Sequence, residues 1–142
     1  MLIFDLCIKL RRNIDSLDEE IIELYSIYRS PRTQNLSFAP SRSNYINNNS
    51  EELLEKIESL KNKRSLLIEK LDKNWLFINK RLVQLSFSEA EILLLKLRFY
   101  YGLPWKKCCE KMNNYYSDIE WNENLMFRIY HKASKHHYFV YS

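Results

Sequence analysis

The chain has 142 residues, 46% hydrophobic and 28% charged, enough apolar content to bury a core and too much for a disordered chain. One glycine and three prolines leave few tight turns, which argues against an all-β fold with a turn every 8–12 residues or so and predicts an all-α one. The net charge of +4, from 22 Lys and Arg against 18 Asp and Glu, is too mild by itself to imply nucleic acid.

The apolar opening "MLIFDLCIKL" lacks the charged start and cleavage site of a signal peptide. No run reaches the ~20 residues that span a bilayer, so a soluble cytoplasmic protein is expected, with no membrane partner. A first helix is expected from about Leu2 to Tyr28, because Leu10, Ile14, Leu17, Ile21, Leu24 and Tyr28 alternate steps of four and three, a heptad seam. From Ser30 to Ser50 the pattern gives way to Ser, Asn and Pro and reads as a polar loop. A second long helix is expected from Asn49 or Ser50, where Asn49 with Glu52 suits a capping box. Leu53, Ile57, Leu60, Leu67 and Leu71 continue the seam, with Arg64 in one apolar slot. Residues 1–82 thus read as a coiled-coil helical hairpin around the loop 30–50, closing on itself or zipping into a homodimer. This half shows no chemistry.

A third helix is expected after Leu85, with Ser86 and Glu89 as its capping box and Ala90, Leu93, Leu94, Leu97 and Tyr101 as its apolar stripe. Gly102, the single glycine, falls where a helix ends in a left-handed residue, and Pro104 where the next helix tolerates proline. That next helix should run from Pro104 to about Met112, burying Trp105, Cys108, Cys109 and Met112. A polar and aromatic connector, "NNYYSDIEWNEN", leads to a last helix at about 123–137. There Met126, Ile129, Tyr130 and Ala133 form one face, while Asn124, Arg128, His131, Lys132 and Lys135 gather on the other at i, i+4, i+7, i+8 and i+11.

The second face has the residues of a major-groove reader: Arg offers a fork to guanine, Asn pairs with adenine and Lys holds phosphate. No acidic residue follows Glu123, so a polyanion surface is expected at this end, with double-stranded DNA as the partner; Lys106 and Lys107 on the preceding helix would add to it. A merely solvated basic face matches the pattern equally well. Three cysteines, Cys7, Cys108 and Cys109, without C-x-x-C spacing fit a reduced intracellular protein. Adjacent cysteines on a helix point about 100° apart, so Cys108 and Cys109 with His131, His136 and His137 make a poor metal site, and no metal or other cofactor is expected. No nucleophile–base pair, carboxylate pair or phosphate loop suggests an enzyme or a small-molecule substrate.

The stretch "LSFSEAEILLLKLRFYYGLPWKKCCEKMN" resembles the start of region four of primary sigma factors, where a capped leucine-rich helix ends in Leu-Arg, three residues and Gly before a helix-turn-helix. "SDIEWNENLMFRIYHKASKH" is similar to the recognition helix that follows. The whole layout resembles the RinA/ArpU-type late-gene transcription regulators of phages and prophages. The resemblance implies a helix-turn-helix domain at 85–142, a recognition helix at about 123–137 in the major groove, a role in transcription regulation on a phage or mobile element, and contact with RNA polymerase. The competing expectation is a protein-binding module, an inhibitor of a host or rival-phage factor, using the coiled coil and Tyr115, Tyr116 and Trp121 of the connector as anchors.

Overall fold

The computed structural model describes the backbone of residues 3–29 and 40–135, and these are all-α. Helix α1 spans Ile3–Tyr28, α2 Pro40–Gln84, α3 Glu89–Leu95, α4 Trp105–Tyr115 and α5 Glu123–Ser134, with a π-helical segment, Lys96–Tyr100, between α3 and α4. Among the described residues no helix is long and apolar enough to cross a membrane.

Four boundaries differ from the sequence reading. Helix α2 begins at Pro40 rather than at Asn49 or Ser50. A proline is pre-set for a helix's first turn, and the Ser and Asn that follow are only weak helix formers, which an existing helix extends through at small cost. Residues 30–39 of the expected loop lie outside the described residues, as do His136 and His137 at the expected end of the last helix. The cap of α3 is Ser88, not Ser86. The Glu91 amide donates to Ser88 Oγ at 3.2 Å and the Ser88 amide to Glu91 Oε1 at 2.9 Å, a complete capping box. Ser86 instead ends α2 with φ 66°. Its amide donates to the Val83 carbonyl at 3.1 Å and the Phe87 amide to that of Leu82 at 3.1 Å, the paired bonds of a Schellman motif. Helix α4 starts one residue later than expected and continues to Tyr115.

The expected apolar stripe of α3 also changes. An unbroken α-helix would bury Tyr101, but Tyr101 is 50% exposed while Phe99 is 4%. The π-helical segment is the reason: the Tyr101 amide reaches back five residues to the Lys96 carbonyl, at 3.0 Å, and the wider turn rotates Phe99 inward.

The described chain divides into two compact units, and the divisions fall inside α1 and α2 rather than at residues 82–85. In the unit of residues 13–68, Ile21, Ile57 and Leu60 form a buried cluster flanked by Leu17, Leu24 and Tyr25. Arg64, the charged residue in the seam, pairs with Asp18, and the Lys61 ammonium lies 5.0 Å over the Tyr25 ring. These pairings run antiparallel. The ion pair is only part-buried, so it sets register more than it stabilises. The seam's Ile14, Ile21, Ile57 and Leu60 are buried within the single chain.

The other unit takes the residues up to Arg12 and from Glu69 onward. Helices α3, α4 and α5 pack on one another, and the ends of α1 and α2 belong to their core. Cys7 and Asn74, both fully buried, meet through Asn74 Nδ2 donating to Cys7 Sγ at 3.0 Å. Phe4 stacks on Phe99 with centroids 4.5 Å apart. Phe99 also meets Tyr130 at 5.5 Å and, edge-on, Trp105 at 6.3 Å.

Gly102 has φ 72°, the left-handed corner its position suggested. A second constraint comes from far away in sequence: a Cβ at Gly102 would lie 2.7 Å from Arg11 Cγ. Arg11 crosses the glycine to donate from Nε to the Tyr100 carbonyl at 2.7 Å, with its guanidinium 5.8 Å from that ring. Gly102→Ala is therefore expected to cost more than the about 1–2 kcal/mol of a left-handed alanine. In an Arg11→Ala background the cost should fall toward that figure, which urea unfolding of the four proteins in the cycle measures.

Tyr100 donates its hydroxyl proton to Asp72, and that hydrogen bond, with partial burial, pushes the phenol up to about 12. A tyrosine in the unfolded chain titrates near 10, so the contribution is complete below about pH 10 and disappears as pH rises through about 12. The stability difference between wild type and Tyr100→Phe should be constant at neutral pH and shrink across that alkaline window, as read by denaturant midpoints.

Candidate nucleic-acid interface

Helix α5 opens at Asn122, whose side chain accepts from the Leu125 amide at 2.9 Å. Met126, Ile129 and Ala133 are buried, which holds one side of the helix against the body. Asn124, Arg128, His131, Lys132 and Lys135 are all exposed, so the expected basic arc exists as a surface. Lys132 is partly committed to the fold, since its ammonium lies 4.6 Å over the ring of buried Phe87. A groove of about 490 Å3 borders this helix, lined by Phe127, Arg128, Tyr130, His131, Lys132 and Lys135.

Lys106 and Lys107 are exposed in the first turn of α4. That helix has Pro104 at its cap, without a side-chain hydrogen bond. Its buried side is Cys108 and Met112. Cys108 is fully buried with Sγ 3.6 Å from the Leu103 carbonyl, and burial pushes its thiol up to about 11. Cys109 is half-buried beside Met126, Sγ to Sδ 3.3 Å, and burial again raises its thiol, with Glu123 adding to the effect. Cys7 is pushed up to about 12 by burial, against a smaller opposing effect from Asn74. Raised, enclosed thiols are packing groups with little nucleophilic character.

The connector between α4 and α5 departs from the interface expected of it. Trp121 is 4% exposed and is a core residue, not a surface anchor. Asn113 brackets its backbone, accepting from the Trp121 amide at 2.8 Å and donating to its carbonyl at 3.1 Å. The Trp121 indole donates to the Tyr116 carbonyl at 3.1 Å. Tyr116 is half-buried and tilted against Trp121 at 6.5 Å. Of the three aromatic anchors only Tyr115, 59% exposed, stands in solvent. An indole can be buried only if its N–H finds an acceptor, and here the connector's own backbone supplies it, which no local sequence pattern announces.

Two residues of this region went unremarked in the sequence reading. Asn113 is one, and its role depends on the fold of the connector. Phe127 is the other: it is 48% exposed beside the basic arc, and a helical wheel could have found it.

Among the described residues the fold is all-α, and helix α5 presents a basic face on one side while its other side packs against an aromatic core. No protein-family model, curated protein or solved structure matches the chain.

Trp121→Ala is expected to destabilise by about 3–5 kcal/mol, as for a buried aromatic, whereas Tyr115→Ala should stay within about 0.5 kcal/mol of wild type. Thermal or urea unfolding of the two variants distinguishes a structural connector from an exposed one.

Proposed function

We propose that the protein is a sequence-specific DNA-binding transcription regulator of a phage or mobile element, with α5 lying in the major groove. The observation that carries this reading is the division of α5: three buried residues fix one side while Asn, Arg, His and Lys side chains stand exposed on the other. A reading helix needs that combination, because base edges are recognised only by side chains whose helix is held rigidly against its body. Lys106 and Lys107, exposed on the neighbouring helix, suit contacts to the sugar–phosphate backbone. Arg128 is the base-reading candidate and Lys135 the phosphate-holding one. Lys132 serves both the surface and the packing over Phe87. The resemblance to sigma region four extends the reading to contact with RNA polymerase.

A protein-directed role keeps one observation in its favour: Tyr115 and Ile119 of the connector region are 59% and 50% exposed, and exposed aromatics are common interface anchors.

With duplexes selected by the protein itself, Arg128→Ala should lose about 1–3 kcal/mol and relax preference at one position. Lys135→Ala should weaken all sequences alike and lower the salt slope by about one. Binding curves at several salt concentrations measure both. Folded variants of Arg128 and Lys135 that act in cells like wild type, while Tyr115→Ala does not, would replace DNA with a protein target.

A further inference from the structure

Phe127 is the apolar residue of α5 that does not face the body. At 100° per residue it lies about 40° from His131 and about 100° from Arg128, on the flank of the basic arc. Its ring is held in place: it meets Trp105 edge-on at 5.6 Å. Trp105 in turn abuts Phe99 at 90° and carries the Arg98 guanidinium 5.0 Å from its ring. Arg98 itself is tied by a 3.0 Å bond to the Leu103 carbonyl. The contact with Trp105 gives the half-exposed ring a preferred placement, and a placed side chain loses less freedom on binding than a free one.

We infer that Phe127 packs against the C5-methyl group of a thymine in the major groove, and so selects thymine next to the base read by Arg128; this rests on the DNA-binding reading above. If Arg128 and His131 enter the groove, Phe127 enters with them, and a phenyl ring offers no hydrogen bond. The major-groove edges of the bases are otherwise donors and acceptors, and covering one of those with a ring strands it without water or partner. The thymine methyl is the apolar feature on that surface. The groove beside Phe127 has the complementary character, lined by the rings of Phe127 and Tyr130 together with Arg128, His131, Lys132 and Lys135, so that an apolar contact and charged partners for a polyanion lie side by side.

The full-length chain is used to select duplexes from a randomised DNA library. The selected duplex is then remade with deoxyuridine in place of each thymine in turn, which removes the methyl and keeps every hydrogen bond. At one thymine, adjoining the position whose preference is lost in Arg128→Ala, uracil should weaken wild-type binding about fourfold, the effect of one buried methyl-sized group. Phe127→Ala should bind the thymine and uracil duplexes equally while keeping the wild-type salt slope. Phe127→Leu, which preserves packing on Trp105, should keep part of the discrimination. Selected DNA bound equally well with uracil at every position overturns the inference and leaves DNA binding standing, as does an undiminished uracil penalty in Phe127→Ala. A wild-type protein that selects no DNA, or that instead binds an acidic amphipathic peptide through Phe127, overturns this inference and the reading it rests on.

Discussion

The ring of Phe99 touches Phe4 of α1, Trp105 of α4 and Tyr130 of α5, and the position of the basic helix depends on those contacts. Phe99 reaches that place because the backbone widens to a π-helical turn over Lys96–Tyr100. With ordinary α-helical spacing Tyr101 would point inward in its stead. The widening has to be closed, and Gly102 closes it by reversing the chain in a left-handed conformation, with the Leu103 amide reaching back to the Leu97 carbonyl at 3.0 Å. Arg11, from the first helix, then lies across the glycine and ties the end of the segment to α1. One ring, one irregular turn and one residue without a Cβ therefore act as a unit.

What this core does for function is mechanical. Helix α5 is twelve residues long, too short to be stable alone in water, so its direction is imposed by what it packs against. Met126, Ile129 and Ala133 supply the anchor, and Tyr130 joins it to the aromatic cluster. Arg128 and Lys135 on the other face stand in solvent, and on the DNA-binding reading they are the side chains that a polyanion would meet. The seven-residue connector at 116–122 is longer than the turn of a compact helix-turn-helix, yet the bonds between Asn113, Tyr116 and Trp121 make it a defined piece of structure. A long connector with its own core residue sets the separation of α4 and α5 instead of loosening it. On the DNA-binding reading, that separation decides where Lys106 and Lys107 fall on the phosphate backbone when α5 occupies the groove.

The three thiols belong to the same economy of packing. Burial raises each above the ordinary thiol range, and each has a close partner: Cys7 meets Asn74, Cys108 the Leu103 carbonyl and half-buried Cys109 the Met126 sulfur. Cysteine is small and apolar enough to fill such places without the branching that would crowd them. Asn74 introduces a polar group into that core, and its bond to Cys7 favours one register of the helix pair over others.

Helical class, the two seams, the corner at Gly102 and the division of α5 into apolar and basic faces were all legible in the sequence, because each depends on residues within a few turns of one another. The cap of α3 was half legible: Ser86 and Ser88 each stand three residues before a glutamate, and local pattern cannot choose between them. The left-handed end of α2 at Ser86 makes the choice. Tertiary structure alone decided the rest. Arg11 and Tyr100 are 89 residues apart, so nothing local foretells that the glycine must also clear an arginine. Trp121 looks like an interface anchor until the connector's own carbonyl is seen to accept its indole proton. The ends of α1 and α2 join the C-terminal core because Phe4 finds Phe99 there, and Asp72 and Trp75 find Tyr100. Periodicity records which side of a helix is apolar, but the partner for that side is set by contacts between segments distant in the chain, and only the folded molecule contains them.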